Sequence, residues 1–283
     1  MPASFKEEII KAGFFLLEIN QDEELIQHIS PEDIIVLDHY NIASPFQQSI
    51  KNNGNKLVCI DDLHKQEFYA DLIINHAPNV SPEVYQAQSY TKFALGLSYA
   101  LLRPSFLKEA GKKKVDRDCK SVMICFGGAD PKNLSATILQ AVIRNNFFNS
   151  IEVVLGPSYN FCETLKHSLN LTDVGPKKIE LHFNLEEKEI IKVMTRSYWS
   201  IIPSSGILFE AIACGCEAIS GYYVDNQKDI YEGFRHINAI HDARDFLKID
   251  QLLKNVDNFE KKNSGQLIDG KSGERLLQLF EKL

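Results

Sequence analysis

Short apolar runs of strand length alternate along the chain with segments whose apolar residues recur at helical spacing. Runs such as Ile34-Ile-Val-Leu37 and Val122-Met-Ile-Cys-Phe126 are apolar at every position. Strands of that kind are buried on both faces, as in a parallel sheet covered by helices. In the first half the pattern predicts strands at residues 14–18, 34–37, 57–60, 72–74 and 92–94. Helices are predicted at residues 6–12, 23–28 and 45–52, the last closed by Gly54.

The second half repeats the alternation, with strands predicted at 122–126, 151–155, 179–181, 199–202 and 217–221. Helices fit residues 134–144, 161–169, 187–195, 207–213 and 227–233. Leu276, Leu277 and Phe280 are spaced for a terminal helix over residues 274–283. Between the halves, residues 101–120 carry Pro104, a basic run at Lys112–Lys114 and no strong period, and read as a connection. The expected fold class is therefore α/β with two Rossmann-like domains, residues 1–108 and 117–262, and a helical segment, 263–283, packing on the body.

A length of 283 residues accommodates two such domains. The net charge of −7 offers no basic surface for nucleic acid, and no stretch reaches membrane-span length. Six scattered cysteines, some inside apolar strands, point to reduced thiols and a cytoplasmic location. Cys214 and Cys216 are one residue apart, which is not zinc-ligand spacing, and neither a metal nor a cofactor is expected.

Candidate chemistry gathers at the predicted strand ends. Phe126-Gly-Gly-Ala-Asp130 breaks a strand into a glycine pair before a helix. Glycines let backbone N–H groups approach an anion, and the helix turns its positive end toward it. Gly127, Gly128, Asp130 and Asn133 are the candidates in this turn; the alternative is a tight turn with Asp130 as the helix cap. Ser204, Ser205 and Gly206 repeat the device, and Glu210 one turn later could accept both hydroxyls of a ribose. A serine cap with an early acid is the plainer reading of that second turn. Asn226 and Gln227 could bridge a sugar or diphosphate, or cap the following helix. In the first half Asp38, His39 and Tyr40 end one strand, Asp61 and Asp62 the next, and Asn75 and His76 the third.

Taken in order, these segments resemble the UDP-sugar hydrolases of pseudaminic acid biosynthesis. The matching stretches are Ile34–Tyr40, Leu57–Asp62, Gly96–Arg103, Phe126–Leu134, Ser204–Glu210, Asp225–Gln227 and Ile268–Gly270. The resemblance implies a glycosyltransferase-like GT-B fold whose C-terminal domain holds UDP. It also implies metal-independent, inverting hydrolysis of a UDP-linked 2,4-diacetamido-2,4,6-trideoxy sugar by water. By the same resemblance Tyr40 belongs to the active site, with Asp38 and His39 on the sugar side. The Gly127–Asp130 turn, Ser204, Ser205 and Glu210 fall where the family binds UDP.

The resemblance departs at the start. Family members open with a strand and a Gly-x-Gly-His loop whose histidine is the expected general base. None of the eight histidines here matches it, and Ser4 with Glu7 reads as a capping box on an early helix. The N-terminal domain is thus expected to be incomplete. Either the sequence starts late, or a partner polypeptide supplies the missing unit, or the chain binds the nucleotide sugar without cleaving it. The first reading is preferred. Transfer to an acceptor by a GT-B glycosyltransferase is the alternative chemistry.

Overall fold

The computed structural model describes residues 3–39, 41–112, 116–262 and 267–283. The chain divides into two compact units, one of residues 1–73 with 85–93 and one of residues 74–84 with 94–283.

The first unit opens with α1 (Ala3–Lys11) and a short 3-10 helix, Asp22–Gln27. It continues through β1 (Ile34–Leu37), α2 (Ser44–Asn52), β2 (Lys56–Ile60) and β3 (Glu67–Phe68), then β4 (Leu72–Asn75), β5 (Gln86–Ala87) and β6 (Lys92–Leu95). Four strands form a sheet in the order β1-β2-β4-β6, while β3 and β5 pair separately and in parallel. The last residues of β4 and β6 fall in the second unit. Helix α2 carries Pro45 in its first turn, where a missing N–H is harmless, and ends before Gly54 at φ +98°. The strand expected at 14–18 does not form: Phe14 and Phe15 are exposed, and no ladder partners them. The helix expected at 23–28 is the 3-10 turn instead. The Ser4 side chain, Tyr40 and Lys113 and Lys114 lie outside the described residues.

The second unit contains α3 (Pro104–Ala110), β7 (Ser121–Cys125), α4 (Leu134–Arg144), β8 (Ser150–Leu155), α5 (Cys162–Leu171), β9 (Lys178–Phe183) and α6 (Glu187–Arg196). It ends with β10 (Trp199–Pro203), α7 (Gly206–Ala213), β11 (Glu217–Gly221), α8 (Lys228–His236), β12 (His241–Arg244), α9 (Ile249–Leu253) and α10 (Ser272–Phe280). Six parallel strands run in the order β12-β11-β10-β7-β8-β9. Strand β7 is buried throughout because successive side chains enter different cores. Met123 and Cys125 join Phe106, Leu208, Phe209 and Phe234 on one face; Val122, Ile124 and Phe126 join Ile138, Leu139 and Phe246 on the other.

Three elements of the second unit, α3, β12 and α9, were not expected from the sequence. Residues 104–110, read as connection, form α3, with Pro104 in its first turn and only Phe106 buried, so the apolar period is weak. Strand β12 reads His-Asp-Ala-Arg and has no apolar run at all. It is held by parallel pairing to β11 and by buried His241, which meets Glu217 at 3.0 Å and stacks on Phe259 at 4.4 Å.

Candidate functional site

Strands β7 and β10 are neighbours, in register from Val122 opposite Trp199 to Ile124 opposite Ile201. From β7 the chain winds outward through β8 and β9; from β10 it winds the other way through β11 and β12. The loops after β7 and β10 therefore leave the sheet where its winding reverses, the switch point at which open α/β sheets take ligands. Both glycine- and serine-containing turns singled out in the sequence lie there.

In the β7 turn Gly127 sits at φ +82°, and Gly127 and Gly128 are exposed. The Gly128 carbonyl accepts from Ser158 N–H at 3.0 Å, tying this turn to the loop after β8. Asp130 is buried, and its two carboxylate oxygens accept from Leu134 N–H and Ser135 N–H, both at 2.8 Å. It caps α4 with both oxygens. Asn133 adopts φ +52°, and its side-chain oxygen accepts from the Tyr159 hydroxyl at 2.5 Å. Lys132 donates to the Tyr223 carbonyl at 2.7 Å. Burial pushes the Cys125 thiol beneath this turn up to about 12, so it stays protonated and unreactive.

The β10 turn is built differently. The Ser204 hydroxyl is buried 2.9 Å from that of Ser220, which itself donates to the Ile202 carbonyl at 2.9 Å. Ser205 is extended and only half-buried, and α7 begins at Gly206 with no side chain bonded over its first turn. The open N-terminal donors of α7 thus contrast with the capped ones of α4. Glu210 lies one turn into α7, where burial raises its pKa; the Arg103 guanidinium opposes that rise, and the Glu187 charge adds to it. Asn226 is exposed, whereas Gln227 is buried and accepts from Tyr223 N–H at 3.0 Å, pinning its own loop.

A second stretch of the same unit reaches α7. The His76 ring stacks on Phe209, centroids 4.1 Å apart, and its Nδ1 accepts from Leu101 N–H at 3.1 Å. Burial lowers the His76 pKa to about 4, so the ring is neutral with its proton on Nε2. Two residues on, Arg103 donates to Glu210. Sequence reasoning gave Arg103 no role, because nothing local to it announces a partner 107 positions later.

In the first unit Asp38 and His39 are exposed at the end of β1, and the His39 Nδ1 accepts from Asn41 N–H at 3.1 Å. Tyr40 lies outside the described residues. A cavity of about 260 Å³ opens at the ends of β1 and β2, with Leu37 and Cys59 as apolar wall and His39, Asp61, Lys65 and Gln66 as polar wall. Burial raises the Asp61 pKa against two backbone bonds, from His64 N–H at 2.7 Å and Leu63 N–H at 3.2 Å.

Among the described residues one group, Glu152, Glu180 and His182, has metal-ligand spacing. Its space is already held by cations: Arg196 donates to Glu152 at 2.6 Å, and Lys178 pairs with Glu180 at 2.6 Å. The group sits on β8 and β9 rather than beside the two turns.

No known family profile matches the chain. It is 29% identical over 215 residues to the UDP-2,4-diacetamido-2,4,6-trideoxy-beta-L-altropyranose hydrolase of Campylobacter jejuni, covering 72% of each protein. It is 22% identical over 217 residues to the spore coat polysaccharide biosynthesis protein SpsG of Bacillus subtilis, covering 74% of this chain and 62% of that one. An uncharacterized protein of Methanocaldococcus jannaschii is 24% identical over 250 residues; the match takes in 83% of this chain but only 51% of that protein. Among solved structures, MurG of Acinetobacter baumannii superposes with a TM-score of 0.66 at 13% identity, over 93% of this chain and 76% of that one. The chain accordingly has the α/β, GT-B-like fold with Rossmann-like parallel sheets that its sequence implied. No helix among the described residues is long and apolar enough to cross a membrane.

Proposed function

We propose that the chain binds a UDP-linked sugar in polysaccharide biosynthesis and hydrolyses its sugar–phosphate bond. The observation that carries this reading is that the Gly127–Asn133 and Ser204–Glu210 turns follow the adjacent strands β7 and β10, at the switch point of the sheet. The likeness to the Campylobacter jejuni hydrolase supports the substrate class. In this reading the diphosphate faces the exposed Gly127–Gly128 backbone and the open N-terminus of α7, since Asp130 already fills that of α4. Glu210 takes the ribose hydroxyls. Ser204 and Gln227 shape the site from below, Ser205, Gly206 and Asn226 line it, and Asn133 fixes the turn.

The chemistry is attack of water on the anomeric carbon. The new C–O bond forms as the bond to the β-phosphate oxygen breaks, the electron pair leaves on UDP, and the water proton passes to a base. Backbone donors at the two turns stabilise the charge that develops on the leaving diphosphate. Asp38, His39 and Tyr40 are proposed as sugar-facing groups of the first unit.

Calorimetric titration with UDP tests the site. Binding that weakens at least tenfold in Glu210→Ala is the expected result, and absence of UDP binding overturns the reading. Incubation with the UDP-diacetamido sugar and no acceptor, followed by mass spectrometry, separates hydrolysis from transfer. Free sugar plus UDP is expected, unchanged by EDTA. Product only when an acceptor is added would establish transfer instead.

A further inference from the structure

Both hydrogen bonds that Arg103 gives Glu210 end on one carboxylate oxygen. Nη2 lies 2.8 Å and Nε 3.2 Å from Oε1. Oε2 of Glu210 takes part in no hydrogen bond among the described residues, and the Glu210 side chain as a whole is 16% exposed. One oxygen is therefore clamped and the other is presented. That is a different arrangement from a fork-to-fork ion pair, in which both oxygens are consumed.

The clamp is itself held from several sides. The Arg103 guanidinium lies 4.7 Å over the Phe106 ring and 3.6 Å from Glu187 Oε2. Its carbonyl accepts from Phe106 N–H and Leu107 N–H at the start of α3. Leu101, two residues earlier, is bonded to His76, which stacks on Phe209, the neighbour of Glu210 on α7. Phe209 is thus held by His76 and Glu210 by Arg103, and the Leu101–His76 bond ties the two contacts together. A buried glutamate without a cation would be driven toward its neutral form, and a neutral acid is a poorer acceptor for a diol.

We propose that Arg103 is a positioning residue for the nucleotide ribose. Its charge favours the ionised form of Glu210, its two bonds lock Oε1, and Oε2 is left facing the ribose hydroxyls. This inference rests on the UDP reading above and adds the residue that makes its ribose contact work. It touches neither phosphate nor sugar, so its effect is confined to ligands that carry the hydroxyls Glu210 accepts.

The test compares UDP with 2′,3′-dideoxy-UDP on the full chain, by calorimetry, for wild type, Arg103→Lys, Arg103→Ala and Glu210→Gln. Expected is a ribose preference in wild type that falls about tenfold in Arg103→Ala, with dideoxy-UDP affinity unchanged. Arg103→Lys should retain part of the preference. Thermal melting verifies folding, and the lysine variant serves if the alanine one does not fold. Equal losses for both nucleotides, no change, or tighter UDP binding in the variants would overturn the positioning role. A wild type that binds no UDP overturns the functional reading as well. A wild type with a ribose preference that Glu210→Gln abolishes and Arg103 variants leave intact overturns this inference alone.

Discussion

Gly156 packs backbone to backbone against Gly128: a Cβ on Gly156 would lie 2.7 Å from the Gly127 carbonyl oxygen and closer still to the Gly128 Cα. The loop after β8 thereby supports the β7 turn from beneath. Gly156→Ala must push one loop away from the other. The expected effect is a loss of about 1–3 kcal/mol in denaturant unfolding together with weaker UDP binding. Gly273→Ala is the control. Its Cβ meets only the Leu107 Cδ1 at 3.8 Å, and in α10 an alanine should leave stability unchanged or slightly higher. Matching stability in wild type and Gly156→Ala would show that the two loops are not coupled.

Asp130 bears on a second prediction because its carboxylate is spent inside the fold. Removing it in Asp130→Ala leaves two N–H donors of α4 unsatisfied, and should lower stability by about 1–2 kcal/mol. Asp130→Asn keeps one acceptor and should lose less. If UDP affinity falls in proportion to stability across the two variants, the residue acts through the turn. A fall in affinity with no change in stability would make it a direct contact.

These two residues also mark what the sequence could and could not convey. The strand–glycine–helix layout around Gly127 was legible because glycine and apolar runs are local signals. Asp130 carried two meanings there, anion site or cap, and only the 2.8 Å bonds to Leu134 and Ser135 assign the carboxylate to the cap. Gly156 gave no signal, since its requirement comes from a different loop. Strand β12 was invisible because pairing and a buried His241–Glu217 contact, rather than apolar side chains, hold it. The opposite error occurred at 14–18, where an apolar run alone suggested a strand and Phe14 and Phe15 are exposed in the structure. The Arg103–Glu210 contact joins residues far apart in sequence, and no period or spacing encodes it.

His76 supplies a prediction in stability. Its pKa is lowered to about 4 by burial, whereas an unfolded histidine titrates near 6.5. Between those values the unfolded chain binds the extra proton, so stability is full above about 6.5 and is lost as pH falls toward 4. That difference corresponds to about 3 kcal/mol. His76→Phe keeps an aromatic ring against Phe209 but removes the titration and the acceptor for Leu101 N–H. It should be less stable than wild type at pH 7.5 by about 1–3 kcal/mol and lose less stability on going to pH 5. Urea unfolding at both pH values checks this; parallel losses in the two proteins would mean that His76 does not titrate in this range.

Glu210 yields the prediction that ties stability to binding. Burial holds its pKa above that of an exposed glutamate, with Arg103 opposing the shift and the charge of Glu187 on α6 adding to it; protonated Cys125 on β7 is the other titratable neighbour. A carboxyl raised in the folded state stabilises the fold below its unfolded pKa, and that contribution is lost as pH rises through the folded value. The ionised form that accepts the ribose hydroxyls is thus the less stable one. UDP affinity should be full at neutral pH and fall as pH drops through the raised pKa, whereas Glu210→Gln should bind weakly with a flatter profile. In Arg103→Ala the opposing charge is gone, so the affinity drop should begin at a higher pH than in wild type. Calorimetric titrations with UDP from pH 4.5 to 8, with phosphate ionisation corrected by a parallel dideoxy-UDP series, measure the displacement. An unchanged midpoint in Arg103→Ala would show that the guanidinium does not govern the charge of Glu210.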